Sequence, residues 1–322
     1  MPFKTPKFWY KPRGILSALL TPVSWLYQIG HFINQKIALT AYHSKIPVIC
    51  IGNAIAGGSG KTPTVISLVT LLKENGVFSN PHILTRGYGS DINKPTLVDT
   101  SVHTAKDVGD EAILLTKVAP TIISPDRSSG AKLAEENGAD IIIMDDGLQN
   151  NTLRKDLTFL VIDRQIDFGN GKIIPAGPLR DSLASILDKT DCVICIGRPL
   201  QSDKEVFEAS IKPQSFPDKN KKYIAFAGIG LPEKFKNTLL DLNTNLIGWY
   251  PFPDHHPFTS KDIELLKKEA QEKEAMLITT EKDYVRLDYE IRADIETLPI
   301  SLEFKEAQSV IGFIRNKLEE RR

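Results

Sequence analysis

Along most of this chain, short apolar runs alternate with longer stretches whose apolar residues recur at helical spacing. Residues 46–51 (IPVICI) and 81–85 (PHILT) are short strand candidates, and 140–144 (DIIIM), 157–162 (LTFLVI) and 192–196 (CVICI) are dominated by apolar residues without alternation. A strand buried on both faces of a parallel sheet requires that pattern. A shorter strand candidate follows at 121–124. Helical spacing fills the gaps at 62–75, closed by Gly76, at 110–118, at 127–137, stopped by Gly138, and near 178–187. Strand and helix in regular alternation predict an α/β fold with a doubly wound parallel sheet.

Residues 212–222 (KPQSFPDKNKK) turn polar and proline-containing, which marks a domain boundary. Beyond it, strands are expected at 223–227, 245–249, 276–280 and 298–304, and helices at 234–240, 260–273 and 305–320. The expected organisation is an N-terminal helix over 1–35, a sheet domain over 36–212, and a smaller C-terminal α/β domain over 213–322. No internal repeat or low-complexity tract interrupts it.

The first segment behaves differently. Residues 14–33 (GILSALLTPVSWLYQIGHFI) carry no Lys, Arg, Asp or Glu, and Lys4, Lys7, Lys11 and Arg13 precede them. A cleaved signal peptide fits poorly, because no small-residue cleavage site follows. The length would allow a membrane span. However, Ser17, Pro22, Ser24, Gln28 and His31 dilute its apolarity. Leu16, Leu19, Leu20, Val23, Leu26 and Tyr27 recur at helical spacing, and Trp9, Tyr10 and Trp25 lie nearby. That suits a helix in the plane of a lipid interface, with a core-packed helix as the bland alternative. Pro22 is expected to kink or split it.

Charge sharpens this picture. The chain has 322 residues and net charge zero, yet residues 1–72 hold seven basic side chains and no Asp or Glu. A basic, apolar start points to an anionic surface as partner. Hydrophobic residues at 41% and charged residues at 25% exclude disordered and fibrous classes. Cys50, Cys192 and Cys195 are too few for a disulfide framework. Cys192 and Cys195 form a C-x-x-C inside an apolar strand, where inert core thiols are the simpler reading.

The strand at 46–51 runs into Gly52-Asn53-Ala54-Ile55-Ala56-Gly57-Gly58-Ser59-Gly60-Lys61-Thr62-Pro63, which opens a helix. That is the setting of a phosphate-binding P-loop, and it makes the sheet domain P-loop NTPase-type. Gly57, Gly58, Ser59 and Gly60 would wrap backbone amides around phosphates, Lys61 would reach the β- and γ-phosphates of ATP, and Thr62 would face Mg²⁺. Pro63 costs little in a first helical turn. The motif is imperfect, because Ile55 stands where a glycine is expected. Asp145 and Asp146 end the strand at 140–144, the position of a Walker B acid that holds the metal; the alternative is an Asp-Gly turn. Asp110 precedes a helix and is either an N-cap or a base for an acceptor hydroxyl. Arg86 could clamp a phosphate or bridge a carboxylate. His255 and His256 lie in a loop between Pro253 and Pro257.

In this order, these residues resemble the tetraacyldisaccharide 4′-kinases of lipid A biosynthesis. The resemblance is carried by Gly52 to Pro63, Arg86-Gly87-Tyr88-Gly89, Gly109-Asp110-Glu111, Asp145-Asp146-Gly147, Gly169-Asn170-Gly171, Pro175-Ala176-Gly177-Pro178-Leu179-Arg180, Asp254-His255 and Thr280-Glu281-Lys282-Asp283. It implies transfer of the ATP γ-phosphate to the 4′-hydroxyl of an acylated glucosamine disaccharide 1-phosphate. It also implies two α/β domains with a cleft between them and an N-terminal membrane-docking helix. Asp110 would be the base with His255 as its helper, Asp145 and Asp146 would handle Mg²⁺, and Arg86, Tyr88, Glu111 and Gln149 would line the substrate site. The expected location is the cytoplasmic face of the inner membrane, peripheral or monotopic, with no nucleic acid and no obligate protein partner. Leu148, Asn150 and Asp181 depart from the family's usual Phe, His and Glu. The Thr280–Asp283 motif receives no role. Two other classes stay open on the residues alone: a membrane-associated P-loop ATPase or switch protein, and a kinase of a soluble metabolite.

Overall fold

The computed structural model describes residues 6–12, 14–37 and 41–321, with backbone alone over 31–37. Lys4 and Arg13, expected to flank the first helix, lie outside the described residues. The chain opens with a 3-10 turn (Lys7–Tyr10) and α1 (Ile15–Ile37). The large lobe follows with β1 (Val48–Asn53), α2 (Lys61–Glu74), β2 (Pro81–Thr85), β3 (Thr96–Leu97), α3 (Ala105–Val108), α4 (Asp110–Leu115) and β4 (Thr121–Ile123). It continues through α5 (Arg127–Glu136), β5 (Ile141–Asp145), β6 (Leu157–Asp163), α6 (Leu183–Asp188), β7 (Cys192–Ile196) and β8 (Glu205–Pro213). The small lobe holds β9 (Lys222–Ala227), α7 (Pro232–Asp241), β10 (Leu246–Pro251), α8 (Ser260–Glu272), β11 (Ala275–Thr280), α9 (Glu281–Tyr284) and β12 (Ile295–Leu298). Last come β13 (Ile300–Phe304) and α10 (Ala307–Glu319).

The large sheet has nine strands in the order β13-β8-β7-β6-β1-β5-β2-β4-β3. All neighbours are parallel except β3 on β4 and β13 on β8. The continuously apolar runs predicted as strands occupy its centre, buried along their whole length. From β1 the chain moves to one side of the sheet and later returns to the other at β6. This reversal opens a crevice at the carboxyl ends of the strands, where α/β sheets place their ligands. One face packs Ile49, Ile51 and Phe159 against Leu68 and Leu72 of α2 and Ile314 of α10. The other packs Cys50, Ile142 and Met144 against Ala131 and Ala134 of α5. The small sheet, β10-β9-β11-β12, is wholly parallel, with α7 and α8 on opposite faces.

The second domain expected over 213–322 needs correction at its end. The strand expected at 298–304 is two strands separated by Pro299, and they belong to different sheets. β13 pairs with β8, and Val310, Ile314 and Leu318 of α10 enter the large lobe's core. The apolar stripe of α10 covers the outer part of a face that α2 alone leaves open. β8 itself was not anticipated, because its charged residues alternate with the inward Phe207 and Ala209 in a half-buried strand.

α1 is one continuous helix through Pro22, not a split one. Its orientation inverts the usual rule. Ser17 and Ser24 are buried: Ser17 Oγ donates to Ala176 O and Ser24 Oγ to Ile173 O, each at 2.8 Å. Trp9 Nε1 donates to Pro175 O at 3.0 Å. Leu16, Leu19, Val23, Trp25 and Leu26 face outward, with Leu19 and Leu26 about 70% exposed. Among the described residues, no helix is long and apolar enough to cross a membrane.

The return of α10 makes a measurable difference. Ile314→Ala is expected to cost about 2–5 kcal/mol of stability by urea denaturation. Amide exchange should accelerate first in β1 and β6 of the large lobe, whereas a small-lobe location for α10 would spare them.

Candidate active site

The crevice begins where β1 leaves the core. Gly57 and Gly60 sit at φ 117° and 83°, which side-chain-bearing residues rarely adopt. Gly60 caps α2, so the helix's first amides open toward the crevice. Asn53 is fully buried, and its Nδ2 donates to Ile55 O and Ser59 Oγ, both at 2.7 Å, tying the loop's two arms together. Ile55 is not a flaw in the motif. It forms an antiparallel bridge with Leu179 and buries its side chain beside Leu148 and Leu179. Ala56 N donates to Pro178 O at 2.8 Å and Arg180 N to Ala54 O at 3.0 Å. The Pro178–Arg180 stretch is thus zipped to the loop, and a glycine at 55 would leave a void.

Zipping brings Arg180 over the acids that end β5. Its NH1 lies 3.0 Å from both oxygens of Asp146, and Lys61 Nζ lies 3.8 Å from Asp146 Oδ2. Burial works against the charge on Asp146, yet Lys61 and Arg180 pull its pKa down to about 2. Asp145 is 1% exposed, and neither carboxylate oxygen has a hydrogen-bond partner among the described residues. Burial first, then the charge of Glu111, pushes its pKa up to about 7. Adjacent aspartates have therefore become different groups: one paired and ionised, the other desolvated and unpaired.

Asp110 is the first residue of α4, almost wholly buried, and faces the small lobe. Its Oδ2 lies 3.2 Å from His255 Nδ1 and 2.5 Å from Arg286 Nε. Its Oδ1 accepts the Glu111 amide at 2.7 Å. Burial opposes ionisation, but the His255 hydrogen bond and the Lys282 and Arg286 charges hold the carboxyl well below the usual range. Glu111 Oε1 pairs with Lys282 Nζ at 2.8 Å, and that charge lowers its pKa first of all. A methyl group on Gly230 would sit 3.2 Å from Asp254 Oδ2 and 3.3 Å from Gly58 N, so the loop that carries His255 stands beside the phosphate loop and both clusters share one cleft.

Most residues predicted from sequence therefore converge here. The Tyr88 ring lies 5.3 Å from the His255 ring, tilted at 52° to it, and is otherwise exposed. Gln149 Oε1 lies 3.4 Å from Arg180 NH1, and its Nε2 is buried without a partner among the described residues. Arg86 follows β2, exposed at the crevice rim and without an ion pair among the described residues. Other residues do not join the site. His256 bonds to Asp262 at 3.2 Å and stacks on Phe252. Asn150 closes its own turn onto Thr152, and Asp181 accepts from Ser185 Oγ at 2.7 Å. Cys192 and Cys195 are buried and free. Asn53, Arg180 and Arg286 received no individual role from sequence. Arg180 ended a quoted motif and could have been singled out, but Arg286 meets Asp110 across 176 positions of chain, which no local pattern reveals.

Comparisons with known proteins place this geometry in a family. The family model described as tetraacyldisaccharide-1-P 4′-kinase matches residues 16–319. The chain is 39% identical over 322 residues to the tetraacyldisaccharide 4′-kinase of Rhodospirillum centenum, covering 95% of this chain and 94% of that one. It is 42% identical over 312 residues to the enzyme so named from Paramagnetospirillum magneticum, covering 94% of each. Among solved structures, LpxK from Aquifex aeolicus, crystallised in complex with ATP, superposes with a TM-score of 0.78 at 25% identity, over 94% of this chain and 100% of that one. With a match of this extent and the phosphate loop, paired acids and Asp110–His255 pair in one cleft, the chain belongs to the tetraacyldisaccharide-1-P 4′-kinase family.

Proposed function

We infer that this protein is an ATP-dependent kinase that moves the γ-phosphate onto the 4′-hydroxyl of a tetraacylated glucosamine disaccharide 1-phosphate, as in lipid A biosynthesis. The observation that carries this reading is the meeting of two clusters in one cleft. The Lys61–Asp146 pair stands at the phosphate loop, and a carboxylate–imidazole pair faces it from the lobe interface. A switch ATPase needs the first cluster but has no use for a base directed at an alcohol. A soluble-metabolite kinase needs both clusters but has no use for an exposed apolar face on α1.

In this mechanism, Asp110 accepts the acceptor's proton as its oxygen attacks the γ-phosphorus in line, and His255 orients the carboxylate. Lys61 and the loop amides meet the negative charge of the phosphoryl oxygens. Arg180 holds Asp146 in place and keeps it ionised. Tyr88, Arg86, Glu111 and Gln149 line the acceptor side. Gly230 approaches the loop so closely that a methyl group there would sit 3.3 Å from Gly58 N, so the small lobe roofs the phosphates and excludes water.

The residues present fit Mg²⁺. Among the described residues, no three His, Cys, Asp or Glu side chains form a metal cage. Mg²⁺ usually takes one or two carboxylates and leaves its other positions to phosphates and water. Asp145, whose carboxylate oxygens are both buried and without a hydrogen-bond partner among the described residues, would supply a carboxylate to it. Thr62 adds a hydroxyl, and Asp146 stands behind. When bound, the ion would neutralise charge between the β- and γ-phosphates. The outward apolar face of α1 and the basic N-terminus support peripheral attachment to anionic lipid at the cytoplasmic face of the inner membrane.

Three outcomes are expected. With ATP and the acylated disaccharide, Lys61→Ala and Asp110→Ala each lower kcat by about 10²–10³ while melting cooperatively. A parent-like kcat in either would remove the role assigned to that residue. For Asp145, a folded-state pKa above the unfolded value of about 3.9 means a proton held more tightly when folded. Its contribution to stability therefore declines as pH rises from about 4 to about 7. In divalent-free protein, Asp145→Asn should melt above the parent at pH 8 and not at pH 4, and Mg²⁺ should stabilise the parent but not the variant. Finally, Leu19→Glu with Leu26→Glu should abolish sedimentation with phosphatidylglycerol vesicles, while kcat on detergent-dispersed substrate stays within about twofold; vesicle binding equal to the parent's would rule out α1 as the anchor.

A further inference from the structure

The motif that ends β11 has no task in the reaction as described, yet it is among the most tightly built parts of the small lobe. Thr280 Oγ1 donates to Asp283 Oδ2 at 2.7 Å and accepts the Asp283 amide at 3.1 Å, which caps α9. Asp283 is fully buried and also accepts the Gly228 amide at 3.1 Å. It forms a fixed seat for Arg286, whose NH1 donates to Asp283 Oδ1 at 2.9 Å and to Gly228 O at 2.7 Å. The remaining edge of the guanidinium, Nε and NH2, meets Asp110 Oδ2 across the lobe interface. The same NH2 lies 3.4 Å from His255 Nδ1. His255 is itself held at φ 54° by its amide, which donates to Gly228 O at 3.0 Å. Arg286 and His255 thus share Gly228 O as an anchor and share Asp110 Oδ2 as a target.

We propose that Arg286 is the positioning residue of the Asp110–His255 pair, and that residues 280–286 exist to deliver it to Asp110 when the two lobes are together. The inference rests on Asp110 being the base. A planar guanidinium holds Gly228 O and Asp283 from one nitrogen and Asp110 from the other two in one fixed fork, a span that the single nitrogen of an ammonium does not offer. The large lobe alone contributes one backbone amide, that of Glu111, to the Asp110 carboxylate. Seen from Asp110, the facing charged and titratable groups are His255 and Arg286, with Lys282 and Glu111 beside them. Among the described residues, Arg286 touches neither the phosphate loop nor any residue proposed for Mg²⁺, so its effect should reach the reaction through the Asp110–His255 pair.

The test uses the full chain with ATP and the acylated disaccharide, comparing Arg286→Lys, Arg286→Gln, Asp110→Asn and the double variant Arg286→Lys/Asp110→Asn. Arg286→Lys keeps the charge and protects the fold, so it carries the test should the glutamine variant melt early. It is expected to lower kcat by roughly 10- to 100-fold through misalignment, with the KM for ATP within about twofold of the parent. Arg286→Gln removes the cation that helps keep Asp110 ionised, so the acidic limb of its kcat profile should move to higher pH, whereas that of Arg286→Lys should stay in place. The double variant should be no slower than Asp110→Asn alone, because two residues acting through one carboxylate are not additive. Multiplicative losses in the double variant, an ATP KM that rises as kcat falls, or a parent-like kcat in Arg286→Lys would each overturn the proposal. A parent-like kcat in Asp110→Asn would instead remove the base assignment beneath it, which is a different result and readable as such.

Discussion

A buried carboxylate on one lobe, compensated almost entirely by the other, is the constraint around which this molecule is organised. Asp110 belongs to α4 of the large lobe, but the imidazole and guanidinium that make its charge tolerable come from loops of the small lobe. Stripping water from an ionised carboxyl costs several kcal/mol unless partners replace it. Parting the lobes would return Asp110 to water; joining them replaces that water with His255 and Arg286. Closing the cleft and building the proposed base would then be one event. Further ion pairs, Lys282–Glu111, Lys117–Glu281 and Lys106–Asp288, run along the same seam and fix its register. The last two are more exposed, so they steer the docking more than they strengthen it.

The seam works because the strands that reach it are parallel within each sheet and turn their carboxyl ends toward it. β1, β2 and β5 deliver Lys61, Arg86 and the acids at 145 and 146; β9, β10 and β11 deliver Gly228, His255 and the segment leading to Arg286. In a parallel sheet every strand ends on the same edge, so residues far apart in sequence gather there without any long excursion of chain. The two aspartates after β5 show how finely position divides labour. Asp146, in a left-handed conformation, swings toward Arg180 and Lys61, while Asp145 stays in line with its strand and its carboxylate finds no hydrogen-bond partner among the described residues. Identical side chains one residue apart thereby acquire opposite shifts, one pulled down by cations and the other pushed up by burial.

What could be read from the residues follows from how local each signal is. The central strands were legible because burial on both faces leaves an unbroken apolar run, and the phosphate loop because its glycines and lysine are contiguous. The strand β8 escaped because half its side chains face away from the core and read as polar linker. The return of β13 and α10 escaped because an apolar stripe such as Val310, Ile314 and Leu318 says that a helix packs, not on which sheet. Ile55 looked like a departure until Leu179, 124 positions along the chain, proved to be its backbone partner. Arg286 was hidden for the same reason: its i, i+3 relation to Asp283 is visible in sequence, but its meeting with Asp110 is a product of the docked lobes.

The same reasoning explains why α1 wears its apolar side outward. The loop over 169–180 exposes carbonyls at Ile173, Pro175 and Ala176 that need donors, and Ser24, Trp9 and Ser17 supply them. Ser17 and Ser24 occupy the inner face of the helix, with Trp9 in the turn before it, and leave the leucines and Trp25 on the other face. That loop then continues into Leu179, bridged to Ile55, and Arg180, bound to Asp146. A single stretch of chain therefore links the proposed lipid-facing helix to the phosphate loop and to Asp146. With α1 lying on a membrane as proposed, its inner face fixes the height and tilt of the cleft above the headgroups. A substrate whose acyl chains stay in the bilayer then needs only its sugar to rise into the site, and the geometry that anchors the enzyme is the geometry that presents the hydroxyl.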